Sequence, residues 1–546
     1  MLSLLKNRRG WVLVRASLKR MGPRRTFLRV VHKVGRSGDS DYHRSVLEAH
    51  SRASIELPLV DRKDSVSIIV PCLNTPVDAF SRMVDSVRRQ TDPNWELIIV
   101  DDGSINCAHL AFLNASLRDT ERISVILRES TEGISLATNT GIAAALGGYI
   151  AFLDHDDELS PHAIRRVREC VSACGPALIY TDEDKISYSG YYEEPFYKPD
   201  WSPELLDSCN YITHFCVVRR DVGQKIGWFR EGYDGSQDYD LVLRISENTA
   251  DIRHIPEVLY HWRKVSGSTS DTSLAKPYAV EAGFRAISES FRRRGRSERV
   301  RSIEFLPGHY TTASDSSLAG FPTVEVICHG SHPKISLQNG WRLTLIEDHE
   351  SEEGIGARIA ECASSWTSGL VLFLSAPKRH FLDDCALHRM MCLATRKGVA
   401  IVGATVLDSP RRIHSSGYCK AEAGLRAYGR GRHPSEMGYF GSLVDNRNVT
   451  SVGAELWIGR VELLKPILTG YTPAVAACSF QNWVHKLCSD VLWSSGRVVV
   501  CSSVSYGPRS LYSSDAIVTL PDLNLGMPWS EGAYGLVSSM REAVSV

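Results

Sequence analysis

The sequence predicts an α/β protein built on a parallel sheet, and three observations carry that expectation. Short β-branched runs alternate with helical apolar stripes over residues 64–175. Two of the runs end abruptly in aspartates, Asp101-Asp102 and Asp154-His155-Asp156-Asp157. The same succession of runs returns in the second half of the chain.

Ser65–Pro71 (SVSIIVP) reads as a buried strand closed by proline. Phe80, Met83, Val84 and Val87 then fall at i, i+3, i+4 and i+7, one face of a helix. Trp95–Val100 is the next strand, so this stretch is a βαβ unit. Ligands bind such sheets beyond the carboxyl ends of the strands, where Asp101 and Asp102 stand. Ile123–Leu127 is a third strand, and Gly133 to Gly148 a loop and small-residue helix carrying Asn139. Tyr149–Leu153 is a fourth strand, ending in the Asp154–Asp157 cluster. Ser160-Pro161 is an N-cap and N1 pair for a helix with Ile164, Val167 and Val171 turned inward.

The chain has 546 residues, enough for two to four domains, with 63 basic and 63 acidic side chains. Its 43% apolar content excludes a wholly disordered or fibrous protein. The zero net charge argues against nucleic acid as a partner. That zero is a sum of unlike parts. Residues 1–38 hold eleven Lys or Arg and no acid, leaving 52 basic against 63 acidic side chains in the rest. The arm interleaves its cations with Leu, Val, Trp and Phe, which suits peripheral contact with an anionic membrane. A solvated terminus, or a helix docked on the acidic body, accounts for it as well. No apolar run reaches the ~18–20 residues that span a bilayer. The fourteen cysteines form no C-x-x-C pair and no cluster at zinc spacing, as expected of reduced thiols in the cytoplasm.

Acids at the end of a buried strand are costly unless a cation meets them. Two carboxylates at i and i+2, Asp154 and Asp156, suit one hard divalent ion such as Mg2+ or Mn2+. A helix-capping acidic turn is the plain alternative.

The segments VSIIVPCLN, WELIIVDDGS, EGISLATNTGIAAALGGYIAFLDHDDELSP, GSQDYDLVLR and HIPEVLYHW together resemble family 2 glycosyltransferases of the GT-A fold. The resemblance covers about residues 64–270, and is nearest to tandem-domain members of bacterial O-antigen, capsule and rhamnan assembly. It implies a nucleotide-diphosphate sugar donor and a glycan or lipid-linked glycan acceptor; the protein is expected in the cytoplasm, where the basic arm would hold it at the inner face of the cell membrane. Pro71, Cys72, Asn74 and Asp102 match the region that holds the base and ribose. Asp154 and Asp156 match the D-x-D pair, Asp154 toward the sugar or ribose and Asp156 toward the metal. His261 matches a family histidine near the diphosphate and metal, and Asn139, in the small-residue helix, is expected among the donor-binding residues. Asp238 matches the catalytic base. Two departures stand out: Gln237 precedes Asp238 where the family often has Glu, and Thr138 stands where it often has Arg. A base on the face opposite the leaving group gives inversion by single displacement. Tyr180–Lys185 and Pro195–Trp201, rich in aromatics and acids, suit either sugar contacts or an ordered surface loop.

The second half repeats the first without its chemistry. Trp341–Asp348 parallels Trp95–Asp102, and from Glu353 on the offset holds at 221 residues to Leu374. At that offset Asp154 becomes Ser375, Asp156 becomes Pro377 and Asn139 becomes Ala360; Asp238 is matched by Asn482. Proline offers a metal nothing, and an amide is no base near neutral pH. The expected organisation is therefore a basic arm (1–60), a catalytic GT-A domain (61–300), a linker (301–322), a degenerate GT-A-like domain (323–520) and a tail (521–546). The degenerate domain suits a scaffold, a glycan-holding module or a surface for homo-oligomers. Two rivals are weaker. A nucleotidyltransferase needs a Gly-rich basic loop where this chain has PCLNTPVDAF. A non-catalytic glycan-binding protein has no need of the acids that the first half keeps.

Overall fold

The computed structural model describes residues 40–51, 61–116, 121–264, 277–296, 298–303, 306–313, 321–330, 341–346, 352–367, 369–376, 384–409, 412–421, 424–433, 436, 438–471 and 479–506. The membrane expectation for residues 1–36, Pro377 and the tail lie outside them. The chain forms two compact units. The first runs to Trp201 and resumes at Asn210; the second takes Ser202–Cys209 and the chain from Glu298.

In the first unit the strands are β1 (Val66–Cys72), β2 (Trp95–Asp101), β3 (Ile123–Leu127), β4 (Tyr149–Phe152), β5 (Glu158–Leu159), β6 (Leu178–Ile186), β7 (Tyr192–Phe196), β8 (Val217–Arg219) and β9 (Ile252–Arg263). The sheet order is β3-β2-β1-β4-β8-β6-β9-β5, with β7 added on β6. β3, β2, β1 and β4 are mutually parallel, and β8 runs antiparallel between β4 and β6. The predicted α/β class is thus borne out, as a mixed sheet with a parallel half. Helices α1 (Ser40–His50), α2 (Val77–Arg88), α3 (Cys107–Ser116), α4 (Ile134–Ala144) and α5 (Ala163–Cys174) come before residue 201. α2 buries Phe80, Met83, Val84 and Val87 completely, the stripe expected from their spacing. Together with Val66, Ile68, Val70, Leu97 and Ile99 they form one core beneath the strand ends.

Two local expectations change. Ser160-Pro161 precede α5 as a turn, and His162 is the N-cap. Tyr180–Lys185 belongs to the buried strand β6, enclosed by β8 and β9, so it is no surface loop.

Helix α6 (Pro203–Leu206) belongs to the second unit; α7 (Arg220–Ile226), α8 (Gln237–Asn248) and α9 (Pro277–Arg293) belong to the first. In the stretch read as a linker, β10 (Arg299–Ser302) and β11 (Tyr310–Ala313) pair as an antiparallel hairpin. Beyond it the principal strands are β12 (Val324–Gly330), β13 (Arg342–Ile346), β14 (Leu370–Ala376), β15 (Val399–Ser409), then β16 (Arg412–Ser415), β17 (Tyr418–Ala421), β18 (Gly424–Ala427), β19 (Arg447–Asn448), β20 (Leu456–Arg460) and β21 (Arg497–Tyr506). Helices α10 (Glu352–Ala363), α11 (Asp384–Ala394), α12 (Val461–Leu468) and α13 (Phe480–Trp493) lie among them. The larger sheet is ordered β13-β12-β14-β20-β15-β21-β19. Its first six strands follow the same chain order and directions as β2-β1-β4-β8-β6-β9 in the first unit. Register agrees too: Tyr149 pairs with Val66, and Leu370, 221 residues later, pairs with Val324.

Candidate active site

The carboxyl ends of β1, β2 and β4 carry the predicted residues, and each is held by local chemistry. Asn74 adopts a left-handed backbone (φ 51°), which Asn tolerates better than most residues. Its Oδ1 accepts from the Ile105 and Asn106 amides at 2.9 and 3.0 Å, so it ties the loop after β1 to the loop after β2. Asp102 is buried and faces the N-terminus of α4. Its carboxylate accepts from the Gly133 amide at 2.9 Å and from Arg128 Nη1 at 2.5 Å. A carboxylate at a helix N-terminus is favoured by the unpaired amides and the dipole. Gly133 permits the approach: its φ is +102°, and a Cβ there would stand 2.4 Å from Asp234 Oδ2. Pro71 pairs with Val100 across the ladder. Cys72 is buried against Asp101 and His109.

Past β4 the backbone turns and sorts its three acids. Asp157 points inward, fully buried, accepting from Tyr260 Oη at 2.6 Å and from the Arg263 amide at 2.7 Å. Asp154 and Asp156 keep 48% and 23% of their side-chain surface exposed, so these two remain open to solvent. Burial pushes the Asp156 carboxyl above the ordinary carboxylate range; Asp154 adds to the rise, against His155. Asp157 is raised well above that range by burial and by the same two acids.

Asp238 is the second residue of α8, and its Oδ2 accepts from Asn210 Nδ2 at 2.8 Å. Burial raises its pKa; nearby His214 opposes the rise and Asp154 adds to it, which places all three in one electrostatic field. His214 is the member that sequence reasoning missed. Its Nε2 lies 3.8 Å from Asp154 Oδ2, and its Nδ1 lies 3.2 Å from Glu183 Oε2. One ligand atom each of Asp154, Asp157 and His214 lies within 4.8 Å of the other two. Lys198, also buried, pairs with Glu183 at 3.0 Å and donates to the Ile212 carbonyl at 2.6 Å.

Two predicted residues stand apart from this group. His261 alternates with Tyr260 and Trp262 along β9, and neighbours on a strand point to opposite faces. Tyr260 stacks on His214, whereas His261 reaches Asp184 at 2.6 Å and His50 of α1 at 3.1 Å. Both ring nitrogens are engaged there, so the structure does not bring His261 to the acids. Asn139 clamps the Phe229 backbone, donating to its carbonyl at 2.9 Å and accepting from its amide at 3.2 Å.

In the second unit Ser375 occupies the end of β14, its amide bonded to the Glu455 carbonyl at 2.8 Å. Asn482 lies in the first turn of α13, where its amide donates to the Ser479 side chain that caps the helix. Asp154 and Asp238 therefore face Ser and Asn counterparts.

The first unit is thus an open α/β sheet with acids at its parallel strand ends and a further acid, Asp238, on the first turn of α8. The Glycosyl transferase family 2 model matches residues 67–227. An uncharacterized glycosyltransferase of Rickettsia typhi is 31% identical over 238 residues, covering 40% of this chain and 69% of that protein. The chain belongs to glycosyltransferase family 2, and its first unit is an α/β domain of the GT-A type. The O-antigen biosynthesis protein RfbC of Myxococcus xanthus is 41% identical over 246 residues, 44% of this chain and 19% of that protein. The uncharacterized protein y4gI of Sinorhizobium fredii is 32% identical over 443 residues, 74% of this chain and 48% of its own length. The chain thus spans less than half the length of these last two relatives. No helix among the described residues is long and apolar enough to cross a membrane.

Proposed function

We propose that the chain is an inverting, divalent-metal-dependent glycosyltransferase. It moves a sugar from a nucleotide-diphosphate donor to a hydroxyl of a growing cell-surface glycan or lipid-linked acceptor, on the cytoplasmic side of the membrane. The observation that carries this reading is the convergence of Asp154, His214 and Asp238, with His214 Nε2 3.8 Å from Asp154 Oδ2 and Asp156 acting on the same side through Asp154. The name of the M. xanthus relative, which assigns it to O-antigen biosynthesis, supports the acceptor class.

Asp154 and Asp156 fit Mg2+ or Mn2+: they are hard oxygen ligands at i, i+2 spacing, crowded enough that burial and mutual repulsion raise the Asp156 pKa. Such an ion, when bound, offsets the charge of the departing diphosphate. Asp102, Asn74, Cys72 and Pro71 shape the edge that receives the nucleotide, and Asn139 positions the Phe229 segment beside it. Asp238 removes the proton from the acceptor hydroxyl, whose own pKa lies far above neutrality. A carboxyl pKa raised by burial suits that task better than an ordinary one. Asn210 orients the carboxylate through its amide. Attack comes from the face opposite the leaving group, so the anomeric configuration inverts.

We assign no transfer to the second unit, since Ser375 and Asn482 stand where Asp154 and Asp238 stand in the first. Incubation with a panel of nucleotide sugars, reading released nucleotide diphosphate with and without Mn2+, tests the whole reading. Turnover that ignores the metal overturns its metal dependence. Turnover surviving in both Asp156→Ala and Asp238→Asn overturns the single active unit.

A further inference from the structure

We propose that Cys209, His309 and Asp445 form a zinc-binding site in the second unit, separate from sugar transfer. The three residues come from distant parts of the chain, and one ligand atom of each lies within 4.8 Å of the other two. Cys209 and His309 face each other in an isolated antiparallel bridge. Residues opposed in this way send their side chains to the same side. His309 Nδ1 lies 2.7 Å from Asp445 Oδ2. Gly441 closes the turn that carries Asp445, at φ +81°; a Cβ there would stand 2.7 Å from both Asp445 Oδ2 and His309 Cε1. The backbone is therefore drawn tightly over the group.

An independent observation points to a ligand. Asp445 is 1% exposed, yet its Oδ1 has no hydrogen-bond partner among the described residues. A buried carboxylate oxygen left unpaired is costly, and a cation removes that cost. Cys, His and carboxylate are together the ligand set of zinc, and harder ions such as Mg2+ do not favour a thiolate. Ligand atoms on a tetrahedral zinc stand roughly 3.3–3.7 Å apart, so the ion fits between atoms that already lie within 4.8 Å of one another and replaces the 2.7 Å contact between His309 and Asp445. His309 retains 17% side-chain exposure, which leaves a path for a water as fourth ligand. Cys209 is a buried free thiol, and its S–H carries one proton. Zinc binding forms the S–Zn bond and releases that proton to solvent. The bound ion ties Ser202–Cys209 to the hairpin residue His309 and to the turn at Asp445, all within the second unit.

The test uses the full chain, purified, stripped with a chelator and titrated with Zn2+ and then Co2+. The site predicts one zinc per chain and, with cobalt, a thiolate charge-transfer band that Cys209→Ser abolishes. His309→Gln and Asp445→Asn each weaken cobalt binding by at least ~10-fold while the circular dichroism of the fold is kept. Absence of stoichiometric metal overturns the proposal. So does a band that persists in Cys209→Ser, or that vanishes in Cys72→Ser, which would move the metal to the Cys72–Asp101–His109 group. Should Cys209→Ser fail to fold, unchanged affinity in His309→Gln decides against the site.

Discussion

His214 Nε2 stands 3.8 Å from the Asp154 carboxylate, and both act on Asp238 of α8. Burial alone would lower the His214 pKa, but Glu183, Asp154 and Asp157 hold it up at about 9. The ring is a cation at neutral pH, flanked by acids and stacked on Tyr260 with centroids 4.5 Å apart.

That charge makes stability depend on pH. In the unfolded chain the histidine titrates near ~6.5, so its folded pKa is raised. Its contribution is whole below ~6.5 and is lost as pH climbs through about 9. Urea unfolding at pH 6.5 and pH 9.5 should differ by on the order of 1–3 kcal/mol from this group. His214→Gln should flatten the difference; an unchanged slope in the variant would assign it elsewhere.

Asp156 and Asp157 are adjacent, and their losses should read out differently. Asp157→Ala removes the acceptor of Tyr260 Oη and the Arg263 amide, two buried bonds, and should cost about 2–4 kcal/mol in thermal or urea unfolding. Asp156→Ala should keep the wild-type fold and lose Mn2+-dependent binding of nucleotide diphosphate in calorimetry. A stable Asp157→Ala protein, or metal-dependent binding in Asp156→Ala, contradicts this division.

Asn139→Ala should act on the fold before it acts on the donor. The two hydrogen bonds to Phe229 are lost, for a destabilisation of about 1–3 kcal/mol. At a temperature where the variant is folded, its donor KM should stay within about twofold of wild type. A large KM change in a protein of unaltered stability would make Asn139 a direct donor contact.

Much of the first unit was legible because its chemistry is periodic. The VSIIV and WELIIV runs are buried strands, and the Phe80–Val87 spacing fixes the buried face of α2. The acids at Asp101-Asp102 and Asp154–Asp157 fall at the carboxyl ends of strands, where such sheets bind ligands. Strand β6 escaped because Asp182, Glu183 and Asp184 look like surface residues. Buried, each is answered from elsewhere: by His254, by Lys198 and His214, and by His261 and Tyr42. His214 escaped for the same reason, since a lone histidine in NYITHFCVV carries no spacing to read. The period of β9 could have shown that His261 and Tyr260 point apart. Cys209, His309 and Asp445 are separated by so much chain that only the fold unites them.

The proposal that only the first unit transfers sugar can be tested within the intact chain. Asp156→Ala in the intact chain should leave no turnover above the uncatalysed background, because Ser375 and Asn482 supply neither ligand nor base. A residual rate restored by added Mn2+ would place a working site in the second unit.

If Asp238 is the base, its loss slows the chemical step and spares donor binding. Single-turnover release of nucleotide diphosphate is followed for wild type and Asp238→Asn, with donor affinity measured in parallel. The expected result is a rate lower by about 10²–10⁴-fold with donor affinity nearly unchanged. A rate within a few-fold of wild type would contradict it.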